Sequence, residues 1–327
     1  MGERATLLRD QQSLTVLEPE FDEKPIRLGV VGLGHRAIGN VITKALRYDD
    51  YELAAVCDIR PALAETVVAD LERDPGVKVP GYVDYEEMLR REEFDAVAIQ
   101  IDPDKQVPLV CQAMEAGLHV MCEVPAAYSM EDCWRLVTTV ERTGKVYLLM
   151  EQARFAGYIR AWHEIVQSGV IGRPVYVEGE YVGYYGTWQL FQDSEGRFYS
   201  AEEARDNPEA KPTWRHLSQP IHYLPHTLSP LLYILDDRVD RVVGMSTRHQ
   251  SHRHPEIKRA DIQLALLHTE KDAVMKVARG TNTPVMTRGE THHHWFHIKG
   301  TEGALEWKRA DWDHAKLWVD GWQLKEP

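Results

Sequence analysis

Residues Gly32-Leu33-Gly34-His35-Arg36-Ala37 have the types and spacing to hold a phosphate. They stand between a short apolar run, 28–31, and a stripe of Ile38, Val41, Ile42 and Ala45 whose 3, 1, 3 spacing marks one helix face. A strand, a glycine turn and a helix in that order form the dinucleotide-binding fingerprint. Gly32 permits a sharp turn. Gly34 lets a pyrophosphate approach the backbone, and Ala37 fills the third small position, where helix meets strand. The helix N-terminus then offers free N–H groups and the positive end of its dipole, with Leu33, His35 and Arg36 in the same loop. A second apolar run, 53–57, ends in Asp58, 24 residues beyond Gly34, in the range of the carboxylate that grips the adenosine ribose hydroxyls. Asp58 is also placed to cap a helix opened by Pro61, and the two roles are compatible. Arg60 could accept the 2′-phosphate of NADP, but a carboxylate at the strand tip repels that phosphate, so NAD is favoured over NADP.

The elements that must position these residues follow from the same patterns. Apolar runs at 96–101, 119–122 and 146–150 alternate with helical stretches at 107–116 and 130–142. This implies a parallel, doubly wound α/β sheet, a Rossmann domain over residues 25–150. Ligands of such sheets lie beyond the carboxyl ends of the strands. Asp102 and Pro103 therefore read as a wall of the cofactor site, and Glu123 and Gln152 as partners of the nicotinamide ribose or carboxamide. From residue 151 the pattern changes. A helix at 158–168, a strand at 174–181, a polar and aromatic loop at 182–215 and a helix at 221–235 precede strands at 241–247, 261–269, 273–278, 295–299 and 303–308. Residues 151–327 read as an α+β domain with a large open, mostly antiparallel sheet, able to bind substrate and to join copies into a homodimer or homotetramer. Residues 1–24 are polar, lack the apolar core of a signal peptide and read as an N-terminal arm.

A formal net charge of −13, from 51 acidic and 38 basic residues, repels phosphate backbones and sets nucleic acid aside as a partner. No apolar run approaches the roughly 20 residues that span a bilayer, so the chain reads as cytoplasmic with no membrane partner. Cys57, Cys111, Cys122 and Cys133 lack metal-site spacing and read as small core residues in a reducing compartment. His249, His252 and His254, and later His292, His293, His294 and His297, suggest metal. Along a strand, however, His293 faces away from His292 and His294, and no acidic or cysteine partner has zinc spacing, so no metal is expected. Tyr181, Tyr184, Tyr185 and Trp188 form an aromatic cluster suited to the C–H faces of a sugar ring or to subunit packing.

Over nearly everything after residue 25 the chain resembles the glucose–fructose oxidoreductase, inositol dehydrogenase and MocA family. The likeness is carried by Gly32-Leu33-Gly34, by Ala116-Gly117-Leu118-His119-Val120-Met121-Cys122-Glu123-Val124-Pro125, by Ser168-Gly169-Val170-Ile171-Gly172 ahead of a strand, and by Gly300-Thr301-Glu302-Gly303. The resemblance implies a sugar- or polyol-active enzyme with a nicotinamide cofactor and a substrate-binding second domain. It also implies Glu-Lys-Pro, with a proton-transferring lysine, where this chain has Glu123-Val124-Pro125. The valine is similar to the branch of NAD-dependent glycosidases typified by α-N-acetylgalactosaminidase. So are Glu131-Asp132-Cys133-Trp134, Glu151, Gly179-Glu180-Tyr181, Trp214-Arg215 and Tyr223-Leu224-Pro225-His226. That branch carries a tyrosine soon after its glutamate, where this chain has Phe155.

On that resemblance His226 is the acid–base candidate, since an imidazole titrating near neutral pH can take a hydroxyl proton as hydride leaves the same carbon. Tyr223 shares the proton transfer or bonds a sugar hydroxyl, with a core tyrosine as the structural alternative. His222, four residues before His226, is placed to orient it or the sugar. Tyr181, Tyr185, Trp214 and Arg215 form the candidate substrate wall. Three functions stay open. The first is an NAD-dependent oxidoreductase transferring hydride at a ring hydroxyl carbon of a sugar or glycoside. The second is a redox-neutral glycosidase running oxidation, elimination, hydration and reduction. The third, toward which Val124 and Phe155 point, is a non-catalytic NAD-binding regulatory protein.

Overall fold

The computed structural model describes residues 24–184, 189–282, 294–310 and 312–321. The chain divides into two compact units, with the break between Met150 and Glu151. Of the N-terminal arm read at 1–24, only Lys24 falls within the described residues.

In the first unit β1 (Ile26–Val31), β2 (Tyr51–Cys57), β3 (Gly81–Tyr82), β4 (Ala96–Ile99), β5 (His119–Cys122) and β6 (Tyr147–Leu149) form one parallel sheet in the order β3-β2-β1-β4-β5-β6. The order reverses between β1 and β4, so the loop after β1 sits at the switch point where such sheets bind ligands. The strands are apolar along their length because both faces are covered. Leu28, Val30, Val56 and Ala98 pack with Ala37 and Val41 on one face, and Val31, Ala55, Val97 and Ile99 pack with Val107, Val110 and Met114 on the other. Helices Pro61–Arg73 and Tyr85–Arg91 and the edge strand β3 join the expected elements. The first helix is wound in π form over Ala37–Ile42 and in α form over Thr43–Ala45. This winding turns Ile38 out to 40% exposure and puts Ala37 in the core with Val41, Ile42 and Ala45, which corrects the expected stripe. Cys133 is a second correction. It is exposed, because only Leu136 and Thr139 of helix Met130–Thr143 are buried.

In the second unit β7 (Pro174–Val182), β8 (Phe191–Gln192), β9 (Phe198–Tyr199), β10 (Lys211–Pro212), β11 (Val239–Ser246), β12 (Ile262–Thr269), β13 (Val274–Gly280), β14 (His294–Gly300), β15 (Gly303–Glu306) and β16 (Lys316–Val319) build two sheets. The larger runs β11-β12-β13-β7-β14-β15-β16, antiparallel except for the β13–β7 pair. Helices Gly157–Gln167 and Pro225–Leu235 pack on it through Ile159, Trp162, Leu231 and Ile234 against Val177, Val277 and Phe296. The stretch 182–215 is not a plain loop. β10-β8-β9 form a small sheet within it, joined by helices Ala201–Arg205 and Trp214–Leu217. Strands of two residues are too short to show a period-two pattern, so sequence could not reveal them. Among the described residues no helix is long and apolar enough to cross a membrane.

Candidate functional site

The loop after β1 has the geometry of a phosphate cradle. Gly32 sits at φ +83°, and a Cβ there would lie 2.5 Å from the carbonyl oxygen of Gln100, so only glycine fits. A Cβ on Gly34 would meet nothing within 4 Å, which leaves open space of the kind a pyrophosphate needs. Leu33 donates its N–H to Asp58 Oδ2 at 2.8 Å, and Asp58 Oδ1 accepts from Arg60 N at 2.9 Å and Arg60 Nε at 3.0 Å. Burial alone would raise the Asp58 carboxyl, but the bonds from Arg60 and Leu33 outweigh it and hold the group below its ordinary value. Asp58 thus braces the loop, and a ribose hydroxyl would compete with Arg60 for it. Arg60, not Asp58, is the N-cap of helix Pro61–Arg73, which corrects the capping role. His35 and Arg36 are exposed at the N-terminal end of the helix that opens at Ala37, and Arg36 Nε lies 3.9 Å from Glu123 Oε1. Asp102 stands at the start of helix Pro103–Glu115 and pairs with Lys105 at 3.0 Å, while Pro103 is buried. Val124 is buried, and Gln106 pins the segment by donating to the Pro125 carbonyl at 3.3 Å. These features fit a dinucleotide.

In the second unit one face of the large sheet is apolar in two successive rows and polar in a third. Leu267, Met275, Val177 and Ile298 pair across β12, β13, β7 and β14; then Ala265, Val277, Gly179 and Phe296; then Gln263, Arg279, Tyr181 and His294. Residues two apart share a face, so the third row ends an otherwise apolar surface with polar groups. Helix Pro225–Leu235 lies close over the second row. A Cβ on Gly179 would be 2.5 Å from Thr227 Cγ2 and 2.7 Å from Leu231 Cδ1. The first turn of that helix carries His226 to the third row. Its ring centroid is 5.7 Å from Tyr181, edge-on, 6.2 Å from His294 and 5.6 Å from Tyr223. Its Nδ1 meets Oε2 of Glu151, and these side chains are 7% and 3% exposed. Glu151 is steadied from behind, since its Oε1 accepts the Ala153 N–H at 2.8 Å. A carboxylate beside Nδ1 favours the tautomer protonated there, which would leave Nε2 as the acceptor nitrogen. Trp214 stacks 5.8 Å from Tyr223, and the Arg215 guanidinium lies 4.5 Å over Trp214 while donating to Tyr223 Oη at 3.4 Å.

The structure therefore gathers five of the sequence candidates, Tyr181, Tyr223, His226, Trp214 and Arg215. His222 Nδ1 accepts the Gln219 N–H at 3.3 Å and lies 3.3 Å from Ser218 Oγ, so it caps the 3₁₀ turn Pro220–Tyr223, while Glu151 meets Nδ1 of His226. Burial lowers the His222 pKa. Tyr184 Oη lies 2.9 Å from His254 Nε2. Gln152 is exposed in the turn after Glu151. Tyr185, Trp188, His292 and His293 lie outside the described residues. Among the described residues no three His, Cys, Asp or Glu side chains are placed to hold a metal. Sequence reasoning left Glu151, Arg279, Arg259 and His294 without a role in the site. Glu151 carried one signal, its place after a strand end, and Arg279 another, a lone charge ending the alternation Met275, Val277.

The chain is 26% identical over 314 residues to a glycosyl hydrolase family 109 protein of Shewanella sp. (strain W3-18-1), an alignment that covers 89% of this chain and 64% of that relative's length. The fold is similar to that of the WlbA dehydrogenase from Bordetella pertussis in complex with NADH and UDP-GlcNAcA, with a TM-score of 0.68 at 18% identity over 93% of this chain and 84% of the other. It is also similar to scyllo-inositol dehydrogenase from Lactobacillus casei with bound NAD(H) and scyllo-inositol, with a TM-score of 0.63 at 19% identity over 86% and 76% of the two chains. Residues 26–151 match the GFO/IDH/MocA oxidoreductase family with its NAD-binding Rossmann fold, and residues 159–306 match the GFO/IDH/MocA C-terminal domain, so the chain belongs to that family.

Proposed function

We propose that this chain is an NAD-dependent oxidoreductase acting at a ring hydroxyl carbon of a sugar or glycoside, with His226 as the proton acceptor. The observation that carries the reading is the buried His226–Glu151 pair set among the aromatic rings of Tyr181 and Tyr223. Bound NAD supplies the hydride acceptor. His226 Nε2 takes the hydroxyl proton, and the imidazolium that forms is stabilised by the Glu151 carboxylate in a site of low dielectric. Val124 offers no proton, so the role that a lysine would have at that place falls to His226. Tyr181 and Trp214 present aromatic faces to the C–H edges of the sugar, and Tyr223 and Arg215 bond its hydroxyls. In the first unit Gly32, Leu33, Gly34, His35 and Arg36 cradle the pyrophosphate and Asp58 and Arg60 meet the ribose. Asp102 and Pro103 line the cofactor wall, and Glu123 and Gln152 are the candidates for the nicotinamide ribose or carboxamide.

A second reading is favoured by the likeness to a family 109 glycosyl hydrolase. Oxidation at C3 makes the C2 proton acidic, the aglycone leaves by elimination, water adds, and the ketone is reduced again with no net redox change. One incubation separates the readings: the protein, a panel of sugars and nitrophenyl glycosides, and NAD at catalytic and at stoichiometric concentration. NADH that grows with substrate consumed supports the oxidoreductase. Aglycone released at catalytic NAD without NADH accumulation supports the glycosidase. No turnover with NAD still bound ends both and leaves the non-catalytic binding protein.

A further inference from the structure

We propose that the substrate of this site carries an anionic substituent, a carboxylate or a phosphate ester, held by Arg215, Arg259 and Arg279 around Tyr223. The inference rests on the sugar reading above and narrows its substrate class. Arg259 and Arg279 are 6% and 3% exposed, and a buried guanidinium is expensive unless its charge and its donors are met. Arg279 lies 3.8 Å over the Tyr181 ring and 5.7 Å from that of Tyr223, and its Nη1 donates to the Tyr181 carbonyl at 2.8 Å. Arg215 donates to Tyr223 Oη, and its own carbonyl accepts Arg259 Nη1 at 3.0 Å. Arg259 Nε is buried and has no hydrogen-bond partner among the described residues.

Burial, followed by repulsion from Arg279 and Arg215, pushes the Arg259 guanidinium down to about 10. The carboxylate nearest in effect, Asp261, is already engaged. Its Oδ2 accepts from His252 N at 2.8 Å and lies 2.7 Å from His252 Nδ1, and its Oδ1 accepts from Asn282 Nδ2 at 3.0 Å. Glu151 is held by His226. Binding a neutral sugar needs hydroxyl partners, which one arginine and two tyrosines can provide. Gathering three guanidiniums in a chain of net charge −13 is instead the arrangement that recognises a carboxylate or phosphate, whose oxygens match the guanidinium fork.

The test is calorimetric titration of the NAD-loaded full chain with stereochemically matched sets: glucose, glucuronate and glucose 6-phosphate, then galactose, galacturonate and galactose 6-phosphate. At least one charged sugar is expected to bind about ten-fold or more tightly than its neutral partner, an advantage lost in Arg259→Gln and kept in part in Arg259→Lys. Tighter uronate names the carboxylate, and tighter sugar phosphate names the phosphate. A wild-type protein that binds no charged sugar better than the neutral one overturns the inference without any variant. So does a folded Arg259→Gln protein that keeps the preference. Binding is read apart from turnover. Oxidation of neutral sugars with no charge preference ends this inference and spares the oxidoreductase reading, while a charge preference with no turnover does the reverse.

Discussion

At His226 the Nδ1 side of the ring is closed by Glu151, and both groups are shut from solvent. Removing the imidazole in His226→Ala is expected to lower kcat by about 10²–10⁴-fold while NAD affinity, measured by titration, stays unchanged. On the proposed mechanism Glu151 positions the imidazole, so Glu151→Gln is expected to lower kcat by roughly ten- to a hundred-fold and to leave the sugar KM near its wild-type value. A rise in KM at constant kcat would place Glu151 in substrate binding instead. Asp58 makes a different kind of contribution. Its carboxyl lies below the ordinary value when folded, so its stabilisation is present above the unfolded value of about 4 and is lost as pH falls through the folded value. Asp58→Asn is therefore expected to cost about 1–3 kcal/mol at neutral pH, and the gap to wild type in denaturant melts should begin to narrow below about pH 4 and close only below the folded value. A gap that does not narrow at all as pH falls below about 4 would show that geometry, not charge, is what Asp58 supplies.

At the scale of elements, the reach of His226 depends on how closely helix Pro225–Leu235 lies on β7. Gly179 sets that distance, since a methyl there would lie 2.5 Å from Thr227 and 2.7 Å from Leu231. In Gly179→Ala the helix must shift or the side chains must leave their rotamers. A loss of about 1–3 kcal/mol is expected in denaturant melts, together with a fall in kcat and unchanged NAD binding. Unchanged kcat at reduced stability would separate the helix position from the chemistry. The same helix shows what local pattern can and cannot convey. Its apolar stripe and its opening Pro225 are legible from neighbouring residues. Leu224 separates it from the 3₁₀ turn Pro220–Tyr223, so His222 and His226 do not share one helix.

Across the whole molecule, the large sheet of the second unit has an outer face opposite the helices, and on β11 and β12 it exposes Val243, Met245 and Leu266. Exposed apolar side chains in cross-strand register suit burial against a second copy of the chain. Self-association through this sheet is the expected outcome, and the double change Val243→Asp with Met245→Asp should convert the oligomer to a monomer in light scattering without altering the thermal transition of the first unit. A wild-type chain that is monomeric at micromolar concentration would discard the sheet as an interface.

The sequence by itself determined the parallel nucleotide-binding unit, the glycine turn after β1 and the helix that bears His226. Each depends on side chains a few residues apart, whose periodicity and backbone freedom are local properties. It also marked Tyr181, Tyr223, Trp214 and Arg215 as residues to weigh. Only the tertiary structure decided that Glu151 meets an imidazole 75 positions later, and that Gln263, Arg279, Tyr181 and His294 stand in one row. Strand register and long-range pairing are chosen by which faces pack together once the chain has collapsed, and that choice leaves no periodic trace in the residues it joins.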